Sequence, residues 1–299
     1  MAPKFNPARD VADLSGKIIL VTGGNSGIGY ETVKVLLLKN ATVYLAARSP
    51  NKGKAAVAQL QTETNKRAIF LELDLADLKS VRRAAEVFLA QESRLDILFN
   101  NGGVMIPPTD ELTAQGYDLQ FGTNTIGHFF LAELLRAVFF DAVKGGPARD
   151  ALVKKWGKMG APWYVPPHSH YPHLSCLPSL IRTRNLYGAS KLGNIIISNY
   201  YARTHADVLV SCSLHPGLIH SGIQRHGPGL LKFITGLAFS PTPVGAYTQL
   251  WAGTIASAEE INGKYFLPVG VATPPGGRTD DKQLADEVIT YLKGAVEGF

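Results

Sequence analysis

Short uninterrupted apolar runs alternate along the chain with stretches whose apolar residues recur every three or four positions. Ile18-Ile19-Leu20-Val21 reads as a strand buried on both faces. After a glycine-rich turn, Val33, Leu36 and Leu37 fall at helical spacing up to about Lys39. Thr42 to Ala46, Ala68 to Leu73 and Asp96 to Phe99 predict further strands, with helices over 52–62 and 77–92 between them; Leu78, Val81, Ala85 and Phe88 share one face of the latter. Farther on, the pattern predicts a long helix from Leu119 to Phe140 and another from Tyr187 to Thr204. A strand over 208–213, a helix over 243–256, a short strand over 264–267 and an amphipathic end helix over 280–296 complete it. Strand and helix in alternation imply α/β architecture, a doubly wound parallel sheet covered on both sides. Neither an internal repeat nor a linker divides the chain, so residues 1–299 are expected to form a single domain.

Residues 141–186 interrupt this order. They hold Gly145, Gly146, six prolines and three histidines, with no β-branched run suited to a buried strand. A doubly wound sheet calls for its fifth strand soon after the long helix. That strand is therefore expected to be missing, deleted near Phe139–Phe140, or replaced by another segment such as 174–181. Pro178 would make that segment a poor interior strand.

Composition narrows the class. Of 299 residues, 45% are hydrophobic and 18% charged, which excludes a disordered or coiled-coil chain. The net charge of +6 arises in residues 151–230, where eight Lys and Arg face one acid, Asp207. No aromatic-basic interleaving or recognition motif accompanies them, so no nucleic-acid partner is expected. Two cysteines, Cys176 and Cys212, cannot build a disulfide framework and suit a reducing compartment, the cytoplasm. The first 14 residues carry charges of both signs and no apolar core, unlike a secretory signal. The most apolar stretch, Phe129 to Phe140, contains Glu133 and Arg136 and is shorter than the roughly 20 residues that span a bilayer, so no transmembrane segment is expected.

Thr22-Gly23-Gly24-Asn25-Ser26-Gly27-Ile28-Gly29 joins the first strand to the first helix. Glycines permit a tight turn and close approach of a pyrophosphate, and the helix N-terminus presents N–H groups to that anion. With Asp74-Leu75 after the third strand, Asn100-Asn101-Gly102-Gly103 after the fourth and Tyr187-Gly188-Ala189-Ser190-Lys191 later, the chain resembles the short-chain dehydrogenase/reductase family. The likeness runs from about Leu14 to the C-terminus, apart from the irregular stretch. Leu119 to Asn124 and Leu250 to Thr254 resemble its retinol-dehydrogenase-like and WW-domain-oxidoreductase-like branch, notably the filamentous-fungal members.

This resemblance implies a Rossmann fold with a cofactor half of about 14–140 and a catalytic helix and substrate lid over about 187–299. Gly23, Asn25, Gly27, Ile28 and Gly29 would cradle the cofactor, with Asp74 and Leu75 at the adenine and Asn101 and Gly102 beside them. In such enzymes an acid at the end of the second strand binds the ribose of NAD, and a cation there suits NADP. Ala46-Ala47-Arg48-Ser49 has no acid, and Arg48 (with Lys52 nearby) favours NADP(H). Tyr187 is implied as the acid/base and Lys191 as the residue that lowers its pKa and binds the nicotinamide ribose. Asn124 would hold a relay water; as an isolated residue it reads equally as a buried asparagine satisfied by backbone. Pro216, Ile219 and Ser221 would meet the nicotinamide carboxamide. Residues 222–240, rich in Gly, Leu, Phe and Ile, suggest an apolar cover, hence a small apolar alcohol or carbonyl substrate. Homo-oligomerisation stays open.

Two features depart from the family. Its substrate-binding serine, at the end of the fifth strand, has no counterpart here. Residues 165–185 resemble nothing in it and read like translated non-coding sequence. The alternative function is thus a catalytically impaired dinucleotide-binding protein. His168, His170, His173 and Cys176 have zinc-like residue types, but the prolines at 166, 167 and 172 discourage a compact site, and no metal is expected.

Overall fold

A computed structural model describes residues 5–143, 151–155, 179–207, 209–217, 219, 240–276 and 278–299; for 140–143, 151–155 and 179–184 it describes the backbone alone. Among the described residues, eight strands form one sheet: β1 (Ile18–Thr22), β2 (Thr42–Ala47), β3 (Ile69–Glu72), β4 (Ile97–Asn100), β5 (Ala151–Lys155), β6 (Val210–Leu214), β7 (Tyr265–Leu267) and β8 (Val271–Ala272). Their order is β3-β2-β1-β4-β5-β6-β7-β8, parallel except for the last pair. The chain reverses its direction of travel across the sheet between β1 and β4. At such a switch point, open α/β sheets form a crevice beyond the carboxyl ends of their strands.

The central strands bury both faces. Leu20, Tyr44, Ala46 and Leu98 join one core with Val81, Phe88, Phe129, Ile197 and Leu292. Their neighbours Ile19, Val21, Val43, Leu45, Ile97 and Phe99 join another with Val33, Leu36, Leu60 and Leu250. Two-sided burial is why these strands read as continuous apolar runs rather than as alternating ones. The helices that matter for the site are α1 (Gly27–Leu38), α2 (Pro50–Thr64), α3 (Leu78–Leu89), α4 (Gly127–Leu134), α5 (Arg136–Val143), α6 (Ser179–Thr204), α7 (Tyr247–Thr254) and α8 (Lys282–Val296). Ser49, Asp77 and Asp281 each accept a backbone N–H at a helix start, which sets the boundaries of α2, α3 and α8.

Of the two outcomes expected for the fifth strand, missing or replaced, the structure shows the second: another segment, β5, lies between β4 and β6, with Val153 opposite Phe99 and Cys212. It is short, with only Leu152-Val153 as an apolar pair before two lysines, so no run announced it. Residues 174–181 do not fill the slot: 179–181 open α6, and 174–178 lie outside the described residues. The apparently foreign stretch 165–185 thus contributes at least Ser179–Asn185 to α6, in line with Tyr187. The long helix is also interrupted. Leu119–Phe121 leads into a π-helical turn, Gly122–Ile126, before α4, and Leu135 separates α4 from α5.

Central pairing of β5 makes a test. Val153→Pro removes an N–H from a ladder bonded on both sides and should lower the melting temperature by on the order of 3–10 °C. An unchanged thermal melt would show that 151–155 is not the central strand.

Candidate active site

The glycine-rich turn leaves β1 and enters α1 at the switch point. Gly23 has φ +66°, and a Cβ there would lie 2.8 Å from the Gly102 Cα. At Gly29 a Cβ would lie 2.3 Å from the Gly23 carbonyl oxygen and 2.5 Å from Asn101 Nδ2. Side chains at either position would force the turn open. Ser26, at the head of α1, caps no N–H with its hydroxyl, which leaves the first turn of a 12-residue helix able to meet an anion. Asn101 Nδ2 donates to the Thr22 carbonyl at 2.9 Å, and the Gly102 N–H donates to Thr22 Oγ1 at 2.8 Å. The two motifs therefore form one floor. These features fit a dinucleotide pyrophosphate.

The remaining cofactor candidates line the same edge of the sheet. Leu75 is buried. Its Cδ1 would be 3.1 Å from a Cβ at Gly102, and its carbonyl abuts Gly127. Asp74 shapes the turn after β3: its Oδ1 accepts the Ala76 N–H and its N–H donates to Ser80 Oγ. Arg48 is exposed directly after β2. Pro216 is buried after β6. Ile219 meets Ile28 across Gly245, where a Cβ would crowd both side chains. Asn25 lies half-buried in the turn. Ser221, the cover over 222–239 and the cluster of His168, His170, His173 and Cys176 fall outside the described residues. Among those that are described, no cluster of three or more potential metal ligands occurs.

Tyr187 and Lys191 share a face of α6. The Lys191 ammonium lies 4.8 Å from the centroid of the Tyr187 ring. Burial pushes the phenol well above its ordinary pKa. This direction is opposite to the lowering expected from Lys191, and its cause is desolvation. The π turn is stitched to this helix. Asn124 Nδ2 donates to Ser190 Oγ at 3.1 Å, Ser190 Oγ donates to the Tyr187 carbonyl at 2.8 Å, and Thr125 Oγ1 donates to the Ser190 carbonyl at 2.9 Å. Asn124 is buried, and its amide also brackets Val104, accepting from N–H at 2.8 Å and donating to C=O at 2.9 Å. It therefore bridges the loop after β4 and the Tyr187 helix, with backbone satisfying much of its amide.

Ser190, Thr125, Asn194 and His128 escaped the sequence reading. Ser190 lies within the Tyr–Lys motif. Thr125 and His128 follow Asn124 by one and four residues, and Asn194 follows Lys191 by three, but nothing in periodicity marks any of them.

The family pattern for short chain dehydrogenases matches residues 17–146. A short-chain dehydrogenase/reductase of Armillaria gallica is 45% identical over 267 residues, 89% of this chain and 85% of that protein. The chain belongs to the short-chain dehydrogenase/reductase family. Retinol dehydrogenase 11 of Mus musculus is 35% identical over 85% of this chain and 78% of its own length, which places this dehydrogenase/reductase in the retinol-dehydrogenase-like branch. The fold extends to a solved protein from Mycobacterium paratuberculosis, 25% identical with a TM-score of 0.69 over 99% of this chain and 98% of that one. As a dehydrogenase/reductase of this family the chain is an oxidoreductase that uses a nicotinamide dinucleotide. Among the described residues no helix is long and apolar enough to cross a membrane.

Proposed function

We propose that this dehydrogenase/reductase interconverts an alcohol and a ketone or aldehyde on a small apolar molecule, using NADP(H). What supports the reading is that the glycine-rich turn and the Asn101–Gly102 loop are bonded together, and that Asn124 ties this loop to the helix carrying Tyr187 and Lys191. Gly23, Asn25, Gly27, Ile28 and Gly29 would hold the pyrophosphate. Asp74 and Leu75 would border the adenine, and Lys191, Pro216, Ile219 and Ser221 the nicotinamide riboside. When bound, the nicotinamide supplies or takes up the hydride. Tyr187 gives its hydroxyl proton to the carbonyl oxygen in reduction and recovers it in oxidation. Lys191 binds and orients, and Asn124 holds the proton relay in register with α6. The apolar residues Leu230, Leu231, Phe233 and Ile234 suit an apolar substrate. The doubt about activity rested on a missing strand and a missing serine; β5 fills the strand's slot, although its residues, Ala151–Lys155, include no serine. A buried free thiol at Cys212, pushed up to about 12 by desolvation, suits the reducing cytoplasm.

Turnover of a panel of apolar alcohols and carbonyls with NADP or NADPH tests the reaction; no turnover on any of them would overturn it. Cofactor choice has a separate test. Arg48 stands exposed at the end of β2 with no acid among residues 46–49. Arg48→Asp should weaken NADPH by roughly 1.5–3 kcal/mol, about 10- to 150-fold, because it removes a charge-assisted bond. Titration of both cofactors decides it: tighter NADH binding by the unaltered protein would reverse the assignment.

A further inference from the structure

We propose that His128 is a positioning residue that sets the π turn carrying Asn124 against the cofactor floor, an inference that rests on the dinucleotide oxidoreductase reading above. His128 is 1% exposed on α4. Its Nδ1 lies 3.0 Å from the Asn124 carbonyl and its Nε2 lies 2.9 Å from Thr22 Oγ1. A carbonyl only accepts, so Nδ1 carries the proton. In the neutral ring Nε2 is then an acceptor, and the Thr22 hydroxyl donates to it. The other choice for that hydroxyl is the Phe99 carbonyl, farther off at 3.2 Å. Thr22 Oγ1 in turn accepts the Gly102 N–H, and the Thr22 carbonyl accepts Asn101 Nδ2. One imidazole thus joins the base of the glycine-rich turn and the loop after β4 to the backbone of Asn124.

The arrangement matters because the π turn has alternatives. A π turn carries one more residue than an α turn, and such bulges need partners outside the regular ladder. Here the Asn124 carbonyl takes two side-chain donors, His128 from the next turn and Asn194 Nδ2 from α6 at 2.6 Å. Asn194 fixes that carbonyl relative to the Tyr187 helix. His128 fixes it relative to the floor on which the cofactor would lie. The two ring nitrogens therefore have separable tasks: Nδ1 serves the Tyr–Lys–Asn side, and Nε2 the cofactor side.

Paired amide substitutions separate them. Asparagine can place an amide donor near the position of Nδ1, and glutamine can reach that of Nε2. His128→Gln should keep the Thr22 bond and lose the Asn124 bond. Its kcat should fall about tenfold while the Kd for NADPH stays within about twofold. His128→Asn should show the reverse, a Kd raised about tenfold with kcat at saturating NADPH within about twofold. Amide hydrogen exchange without cofactor provides a readout that needs no turnover. The Gln variant should exchange faster over 122–128, the Asn variant faster at Gly102 and its neighbours. If both variants lose kcat and affinity in the same proportion and both segments loosen together, His128 only fills space and the proposal falls. If the unaltered protein shows no turnover, the oxidoreductase reading fails, and the exchange pattern still decides the role of His128.

Discussion

Tyr187→Phe is expected to remove most turnover, on the order of 10²–10⁴-fold in kcat, while NADPH binding stays within a few-fold of the unaltered protein. The substitution deletes one hydroxyl and leaves the ring under the Lys191 ammonium. It leaves the carbonyl of residue 187 on Ser190. Those contacts hold the shape of the site, so the loss isolates the proton. Burial keeps the phenol protonated at neutral pH. Carbonyl reduction, which consumes that proton, should therefore hold its rate from about pH 6 to 8, whereas alcohol oxidation, which needs the deprotonated form, should rise as pH increases. Stopped-flow kinetics in both directions measure this. A Phe variant with ordinary turnover would remove Tyr187 from the chemistry. Lys191→Ala differs in kind and should impair kcat and NADPH affinity together, since in the proposed mechanism one side chain serves both.

Gly29→Ala is expected to be the most damaging change to the cofactor floor. Its Cβ would fall 2.3 Å from the Gly23 carbonyl oxygen, a backbone atom that no rotamer change can move. Relief requires the turn to open, and the same Cβ would lie 2.5 Å from Asn101 Nδ2, straining its bond to Thr22. Overpacking of this sort costs roughly 1–3 kcal/mol, so NADPH affinity should fall on the order of 10–100-fold, with a lower melting temperature. Gly294→Ala is the control. Gly294 lies in α8, and a methyl group added there would meet nothing within 4 Å. Alanine at that position should stabilise the helix by up to about 1 kcal/mol and leave binding unchanged. Calorimetric titration and thermal melts compare the two. Normal affinity in Gly29→Ala would mean that the turn is looser than its contacts imply.

Much of the site was legible because each motif is local. Gly23 to Gly29 had to join a strand to a helix, and Tyr187 and Lys191 had to share a helical face, whatever surrounded them. Those constraints act over fewer than ten residues and are written in residue type. Strands β1, β2 and β4 were equally plain, since burial on two faces demands unbroken apolar runs such as Ile18 to Val21.

Other features belong to the assembled sheet. Leu152-Val153 followed by two lysines is too brief an apolar signal to specify a strand; β4 and β6 give it a place by offering two unpaired edges one strand apart. The π turn at Asn124 also left no mark, because one extra residue in a turn barely shifts a 3.6-residue period. Its stability comes from His128 on α4 and from Ser190 and Asn194 on α6, which reach it from two different helices. The alternation of strands and helices, and the motifs proposed to carry the chemistry, are set by residue type and spacing alone. Which weak segment completes the sheet, and how Asn124 is held, are settled only on assembly, because hydrogen bonds between residues distant in the chain select among conformations that local preference leaves nearly equal.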